Sequence, residues 1–326
     1  MRLPRRRFVE LAGAFATLPV LHKAARAQQY PTRPIKFILS ETAGSSNDVI
    51  ARILAPVMSS YLGQSVIVDN RPGGAALVGL RVVLDSPPDG YTVLVSSSSV
   101  LITSALLNKN FSYDLTKDIS YIAGIASTSW VLVINPAVPV KTLQDLIAYA
   151  KANPGKLNVG FAQGTGPQMV AESFKRIAGI DIVGIPYAGG SQVVTDLLGG
   201  RLHMYFGSAA TTLSMIESGA LKALVVTGAS RDPLLPDLPT MSEAGFPDLT
   251  LSSVLGIFGP AHLPSVVIDT LYRSVEQSTG SPKIRDDMRK VGYALNVQSP
   301  QEFGRLVDHY RQIWLPLAKD VEQPPK

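Results

Sequence analysis

From residue 35 onward, apolar positions alternate between two rhythms: short β-rich runs and longer stretches at helical spacing. Residues 35–39 read as a buried strand, followed by a small-residue turn from Glu41 to Asn47. A helix is expected over 48–62, with Val49, Ile53, Leu54 and Val57 on its inner stripe and Gly63 as its C-cap. Residues 66–68 form a second strand, 70–74 are turn chemistry, a helix runs through Leu84, and 87–90 turn into a strand at 92–95. The same logic then repeats. Strands are expected at 131–134, 157–161, 182–187, 203–206 and 221–227, with helices after Thr142, after the Gln163–Pro167 turn, at 191–198 and at 211–217. Thr142 with Asp145, and Ser299-Pro300 with Glu302, are capping-box signals for helix starts. Beyond Pro300, Phe303, Leu306, Val307, Tyr310, Ile313, Trp314 and Leu317 make one apolar stripe, expected to dock on the body of the protein. Strands alternating with helices imply α/β lobes with parallel sheets.

Composition changes this picture in one place. The 326 residues are 46% hydrophobic and 17% charged, enough for a sizeable core, and the formal net charge of +5 at first suggests an anionic macromolecular partner. That charge sits in the first 27 residues, where six basic residues face a single Glu10; the remaining chain holds 24 basic and 24 acidic residues. Arg5-Arg6-Arg7, a modest apolar stretch from Phe8 to Leu21 and the small residues around Arg26 in Ala25-Arg26-Ala27 have the layout of an export signal. The twin arginines before Phe8-Val9 and the weak apolar region resemble a twin-arginine leader, and the mature chain is expected to begin near Gln28, in the periplasm. The apolar run is too short and interrupted to span a bilayer, which takes about 20 residues.

Catalytic and metal signatures are missing. There is no cysteine, and His203, His262 and His309 have no metal-ligand spacing. No Gly-x-Ser-x-Gly turn or Walker loop occurs, and Gly164-Thr165-Gly166 lacks the third glycine of a dinucleotide fingerprint. No metal, no cofactor and no nucleic-acid partner are expected. Two loops share a different logic: Thr42-Ala43-Gly44-Ser45-Ser46-Asn47 and Gln163-Gly164-Thr165-Gly166 each lie between a strand and a helix N-terminus, and Ser45, Ser46 and Thr165 add hydroxyl donors. Small residues bring backbone N–H groups close to a ligand, and the helix dipole favours an anion there. One such loop is an ordinary N-cap; one in each half of the chain points to an anion clamp. Ser97, Ser98 and Ser99 either add hydroxyls to that cleft or cap the next helix.

Several segments carry a family resemblance: Tyr30-Pro31-Thr32-Arg33-Pro34-Ile35, Gly44 to Arg52, Val68-Asp69-Asn70-Arg71-Pro72-Gly73-Gly74 and Pro88-Asp89-Gly90-Tyr91-Thr92. Pro154 to Asn158, Pro186-Tyr187-Ala188-Gly189-Gly190, Asp196 to Gly200 and Pro236 to Gly245 continue the series. In order and spacing the chain resembles the Bug (TctC-like) solute receptors of tripartite tricarboxylate transport systems. The resemblance implies a two-lobed, type II Venus-flytrap architecture, with 28–126 and 250–326 in one lobe and 127–249 in the other. It implies a monomeric receptor that takes a small carboxylate (a di- or tricarboxylate, an acidic amino acid or an aromatic acid) for a membrane permease or a sensor, without chemistry. By the same resemblance Ala43, Gly44, Ser45, Ser46, Asn47 and Asp48 grip the ligand from one side and Gln163, Gly164, Thr165, Gly166 and Pro167 from the other, with Ser97 to Ser99, Tyr187 and Asp196 as further candidates; Asp48 and Asp196 serve equally well as helix braces. The alternatives are an enzyme on a similar scaffold and a cytoplasmic effector-binding module.

The chain departs from the family where Leu39-Ser40-Glu41-Thr42-Ala43-Gly44-Ser45 replaces a Pro-Phe-Pro-Ala-Gly-Gly pattern. Glu41 is expected to face solvent; the other option is that it meets a ligand ammonium. His203 stands where the family often has Asp, and Gly207-Ser208-Ala209-Ala210 where it often has Asn-x-Pro.

Overall fold

The computed structural model describes residues 30–74, 76–107, 113–290 and 293–321, so the leader and its cleavage near Ala27 lie outside the described residues. The chain opens with β1 (Ile35–Leu39), α1 (Ser46–Leu62), β2 (Val66–Asn70), α2 (Leu77–Leu84), β3 (Thr92–Ser97), α3 (Ser98–Leu107) and a long β4 (Ile119–Ser129). It continues with β5 (Val131–Ile134), α4 (Leu143–Ala152), β6 (Asn158–Ala162), α5 (Gly166–Ala178) and β7 (Val183–Tyr187). Next come α6 (Gly190–Leu198), β8 (Met204–Gly207), α7 (Ala209–Glu217) and β9 (Lys222–Val226). A 3-10 turn at Pro247–Leu249 leads back to β10 (Ser252–Pro260), α8 (Ser265–Gly280), α9 (Pro282–Lys290), β11 (Ala294–Gln298) and α10 (Pro300–Val321).

These strands form two sheets, one per lobe, ordered β11-β4-β10-β3-β1-β2 and β7-β6-β8-β5-β9. The βαβ units behave as expected: β1 is parallel to β2 and β3, and β6 is parallel to β7 and β8. The sheets as wholes are mixed, which corrects the parallel expectation. β10 runs antiparallel to β3 and β4, β11 to β4, and β5 to β8 and β9. The reason is connectivity. β4 leads out of the first sheet in the same direction as its βαβ strands, whereas the returning β10, the added β11 and the entering β5 each run against the direction set by the βαβ units.

Burial on α1 is turned slightly from the expected stripe. Ile50, Ala51, Leu54 and Met58 are buried, whereas Ile53 and Val57 are half-buried at the flank and Val49 faces the cleft between the lobes. Along α10, Phe303, Val307 and Trp314 are fully buried and Leu306 and Tyr310 pack beside them, but Ile313 is 37% exposed. Trp314 stacks edge-on against Trp130 with ring centroids 5.7 Å apart, and α10 touches both α3 and α5. The final helix therefore ties the two lobes together. No helix among the described residues is long and apolar enough to cross a membrane.

The two chain crossings between the sheets lie side by side and are joined through Thr227. Its N–H donates to Trp130 O (2.8 Å) and its hydroxyl to Leu251 O (2.8 Å), while that hydroxyl accepts from Trp130 N (3.0 Å) and its carbonyl from Leu251 N. Thr227 is fully buried, so losing the hydroxyl strands both a donor and an acceptor. Thr227→Val is expected to lower the unfolding free energy by about 1–3 kcal/mol in denaturant titration; an unchanged midpoint would show that the crossings are held by packing alone.

Candidate functional site

Each parallel strand ends in a loop that starts a helix, and six of these loops meet around one cleft of about 650 Å³ between the sheets. On the first lobe they precede α1, α2 and α3; on the second they precede α5, α6 and α7. Every one presents the positive end of a helix dipole to the same space. The chain caps these helices unequally. Two helices that start away from the cleft have full capping boxes, Thr142 with Asp145 at α4 and Ser299 with Glu302 at α10, while α8 follows Pro264 without a side-chain cap. At the cleft, Thr165, Gly189 and Ser208 precede α5, α6 and α7, and none caps its helix with a side chain. The Thr165 hydroxyl donates instead to Ala162 O (2.6 Å), and that of Ser208 approaches Thr211 Oγ1. Gln168 N–H and Thr211 N–H turn back to Thr165 O and Ser208 O, and no cap side chain takes the other amides at these helix starts, where an anion is favoured.

The expected residues divide into two groups. From the first loop Gly44, Ser45 and Asn47 line the cleft, and from the second Gln163, Thr165, Gly166 and Pro167 do. Ser97, Ser99 and Tyr187 line it as well. The others are placed elsewhere. Ala43 is exposed at the tip of its turn, and Ser46 opens α1. Gly164 presents main chain behind the lining, its N–H bound by Gln168 Oε1 at 2.8 Å. Ser98 turns away to pair with Ser253 Oγ (3.0 Å) and to accept from Val254 N. Asp48 accepts from Gly44 N (2.9 Å) and Arg52 Nε (3.0 Å), bracing the loop from behind. Burial acts to raise its pKa, but the bonds from Arg52 and Gly44 outweigh it and hold the carboxyl below its ordinary value. Asp196 likewise accepts from Tyr187 OH (2.8 Å) and Arg201, fixing the tyrosine that faces the cleft, and these bonds lower its pKa. His203 stands four residues before the cleft end of β8, bonded to Asn158, with burial lowering its pKa.

Glu41 overturns an expectation. It lines the cleft and does not face bulk solvent. It is half-buried, with Ser45 Oγ donating to Oε2 at 3.3 Å. Burial pushes its pKa up to about 7, against hydrogen bonds from Ser45 and Asn47 and with help from the nearby Asp48 charge. Thr42, at the start of the first loop, lines the cleft as well; the Gly189-Gly190 and Ser208 loops, the aromatic walls Trp130, Tyr205 and Tyr293 and the Ser40 hydroxyl lie outside the two loops that the sequence pattern marks. No Lys, Arg or His lines the cleft among the described residues. Nor do the described residues hold a group of three His, Asp or Glu that could hold a metal ion.

The lobes meet closely at two glycines. A methyl on Gly166 would strike the Trp130 ring and lie 2.9 Å from Ser99 Cβ on the first lobe. One on Gly189 would strike the Thr42 hydroxyl and lie 3.2 Å from its Cγ2. Neither position tolerates a side chain while the lobes stay this close.

Residues 50–322 match the family model of the tripartite tricarboxylate transporter family receptor, TctC. Protein BugT of Bordetella pertussis is 30% identical over 317 residues, covering 97% of each chain. A UPF0065 protein of Bordetella bronchiseptica is 33% identical over 267 residues, covering 80% of this chain and 77% of that one. Among solved structures, an R. palustris protein with adipate is 30% identical with a TM-score of 0.84, covering 90% of this chain and 98% of that one. The periplasmic binding protein BugD is 28% identical with a TM-score of 0.83 and the same coverage.

Proposed function

The chain belongs to the tripartite tricarboxylate transporter receptor family, the TctC or Bug solute-binding proteins, and from that premise we propose that it captures a small organic carboxylate between its two lobes. The observation that supports this best is the set of helix starts on the second lobe, left without side-chain caps around a shared cleft. Backbone amides at helix N-termini bind an anion without a fixed cation and need only small residues to come close. The related structure with adipate supports a carboxylate as the anion. On this reading Gly44, Ser45, Asn47, Ser97 and Ser99 hold the ligand from one lobe, and Gln163, Thr165, Gly166, Pro167 and Tyr187 from the other. Asp48 and Asp196 position these residues through the loop amide and the tyrosine hydroxyl. Because β4 stays in the first sheet as far as Ser129, the expected boundary at 126/127 moves to Trp130: the chain up to Ser129 and from 250 onward forms one lobe and the stretch between them the other, closing about the Thr227 crossings. The receptor works as an exported monomer, processed near Ala27, handing its ligand unaltered to a membrane permease.

The test is thermal and calorimetric titration of ligand-stripped protein with mono-, di- and tricarboxylates, adipate among them. A cognate ligand at a hundredfold its Kd is expected to add about 2.7 kcal/mol of stability and to be recovered unchanged by mass spectrometry. Failure of every carboxylate to stabilise the protein would overturn the reading.

A further inference from the structure

The geometry points to a cation subsite at Glu41, so that the carboxylate this receptor captures also bears an ammonium group. The inference rests on the carboxylate reading above and narrows it to zwitterionic acids.

Glu41 is the one acidic side chain among the described residues that line the cleft, and no cationic side chain lines it. A carboxylate taken out of water is retained when it is paired or well bonded, and protein groups supply Glu41 only with hydroxyl and amide donors from Ser45 and Asn47. The two basic side chains nearest along the flanking segments, Arg52 and Arg71, are already committed, and Lys36 and Arg81 do not line the cleft. Arg52 reaches Asp48 and Asn70 Oδ1, and Arg71 folds back on Asp69. When Glu41 is ionised, the counter-charge that the cleft lining lacks is left for the ligand to supply.

The surroundings suit such a group. Ser40 is 5% exposed, lines the cleft, and its hydroxyl has no partner; the Thr42 hydroxyl beside it is also unpartnered. A serine or threonine oxygen can accept from an N–H as readily as it donates. Tyr205 on the opposite lobe feels the Glu41 charge, and it lines the cleft with Trp130 and Tyr187, a set of aromatic side chains of the kind that attracts cations. A plain dicarboxylate would instead put its second charge into a cleft already holding Glu41.

A pH dependence follows from the groups facing Glu41. Asp48 is locked with Arg52, Tyr205 is raised far above neutrality by burial and the glutamate, and Glu41 itself titrates near neutrality. The preference for an ammonium is therefore present at pH 8, where Glu41 is ionised, and is lost as pH falls and it takes up a proton.

The experiment titrates amino acids against the acids lacking only the amino group, such as glutamate with glutarate and 6-aminohexanoate with hexanoate, by calorimetry at pH 8 and pH 5.5. The remaining proteinogenic amino acids and their des-amino acids complete the panel, with adipate as a family control. At least one ammonium-bearing member is expected to bind tenfold or more tightly than its partner at pH 8. That ratio should shrink at pH 5.5 and collapse in Glu41→Gln. Equal or tighter binding of the des-amino members, or a ratio that survives Glu41→Gln, overturns the subsite and leaves the carboxylate reading intact. Silence from every ligand, adipate included, overturns both.

Discussion

Glu41→Gln is expected to stabilise the ligand-free protein at pH 8 and to leave its stability unchanged near pH 4. In the folded protein burial raises the Glu41 carboxyl from an ordinary 4.5 to about 7. Below 4.5 the group is neutral in both the folded and the unfolded chain and carries no penalty. Above about 7 it is ionised in both, and the folded state alone bears the charge in a half-desolvated cleft. Wild-type stability therefore falls as pH climbs through that interval, because the folded state holds its proton more tightly than the unfolded one. The full difference is at most about 3 kcal/mol, reduced by whatever water reaches the carboxyl. Glutamine keeps the shape and still accepts the Ser45 bond, so the variant should lose the slope without losing the fold. Denaturant unfolding at pH 4, 6 and 8 measures it. Parallel pH profiles for the two proteins would mean that Glu41 is as well solvated in the cleft as in the unfolded chain.

The sequence was most legible where local chemistry decides structure. β1, β5 and α4 fall on the residues expected, since β-branched runs and the Thr142–Asp145 box fix their ends without help from elsewhere. The long strands β4 and β10 of the first sheet were not legible. β4 reads ISYIAGIASTS and β10 reads SSVLGIFGP, rich in small residues and without hairpin turns, because each pairs with a strand more than a hundred residues away. Small residues there admit α10: a methyl at Gly256 would collide with Phe303. That requirement belongs to tertiary packing and leaves no periodicity in the chain.

The strand-to-helix rule that selects the first two loops of the candidate site reaches further than those two. Gly189-Gly190 and Ser208 stand between a strand and a helix just as Ser45 and Thr165 do, and the same test would have selected them. Asp48, Ser98 and Asp196 show the opposite limit. Position beside a loop does not tell which way a side chain turns, and all three satisfy protein partners behind the cleft wall. Glu41 was misplaced because charge is a surface signal on average, yet here β1 delivers its next residues straight into the space between the lobes.

Gly189→Ala is expected to weaken binding of any ligand held by closure about 10- to 100-fold, with little change in the stability of the ligand-free fold. The added methyl collides with the Thr42 hydroxyl and lies 3.2 Å from its Cγ2, across the gap between lobes and outside either core. Overpacking of this kind costs about 1–3 kcal/mol, and the cost falls only on the closed state. Apparent affinity drops by the fraction of molecules that can still close. The partner residue supplies the control. Thr42→Ala removes both offending atoms and leaves Thr42 Cβ at 3.4 Å, an ordinary contact. Gly189→Ala should therefore be nearly silent in a Thr42→Ala background, and calorimetry on the four proteins of the double-mutant cycle reads the coupling directly. Additive losses would place the defect in the α6 helix start itself, where the methyl would be shielding backbone amides from the ligand. Coupled losses instead make Thr42 and Gly189 the stop against which the two lobes shut.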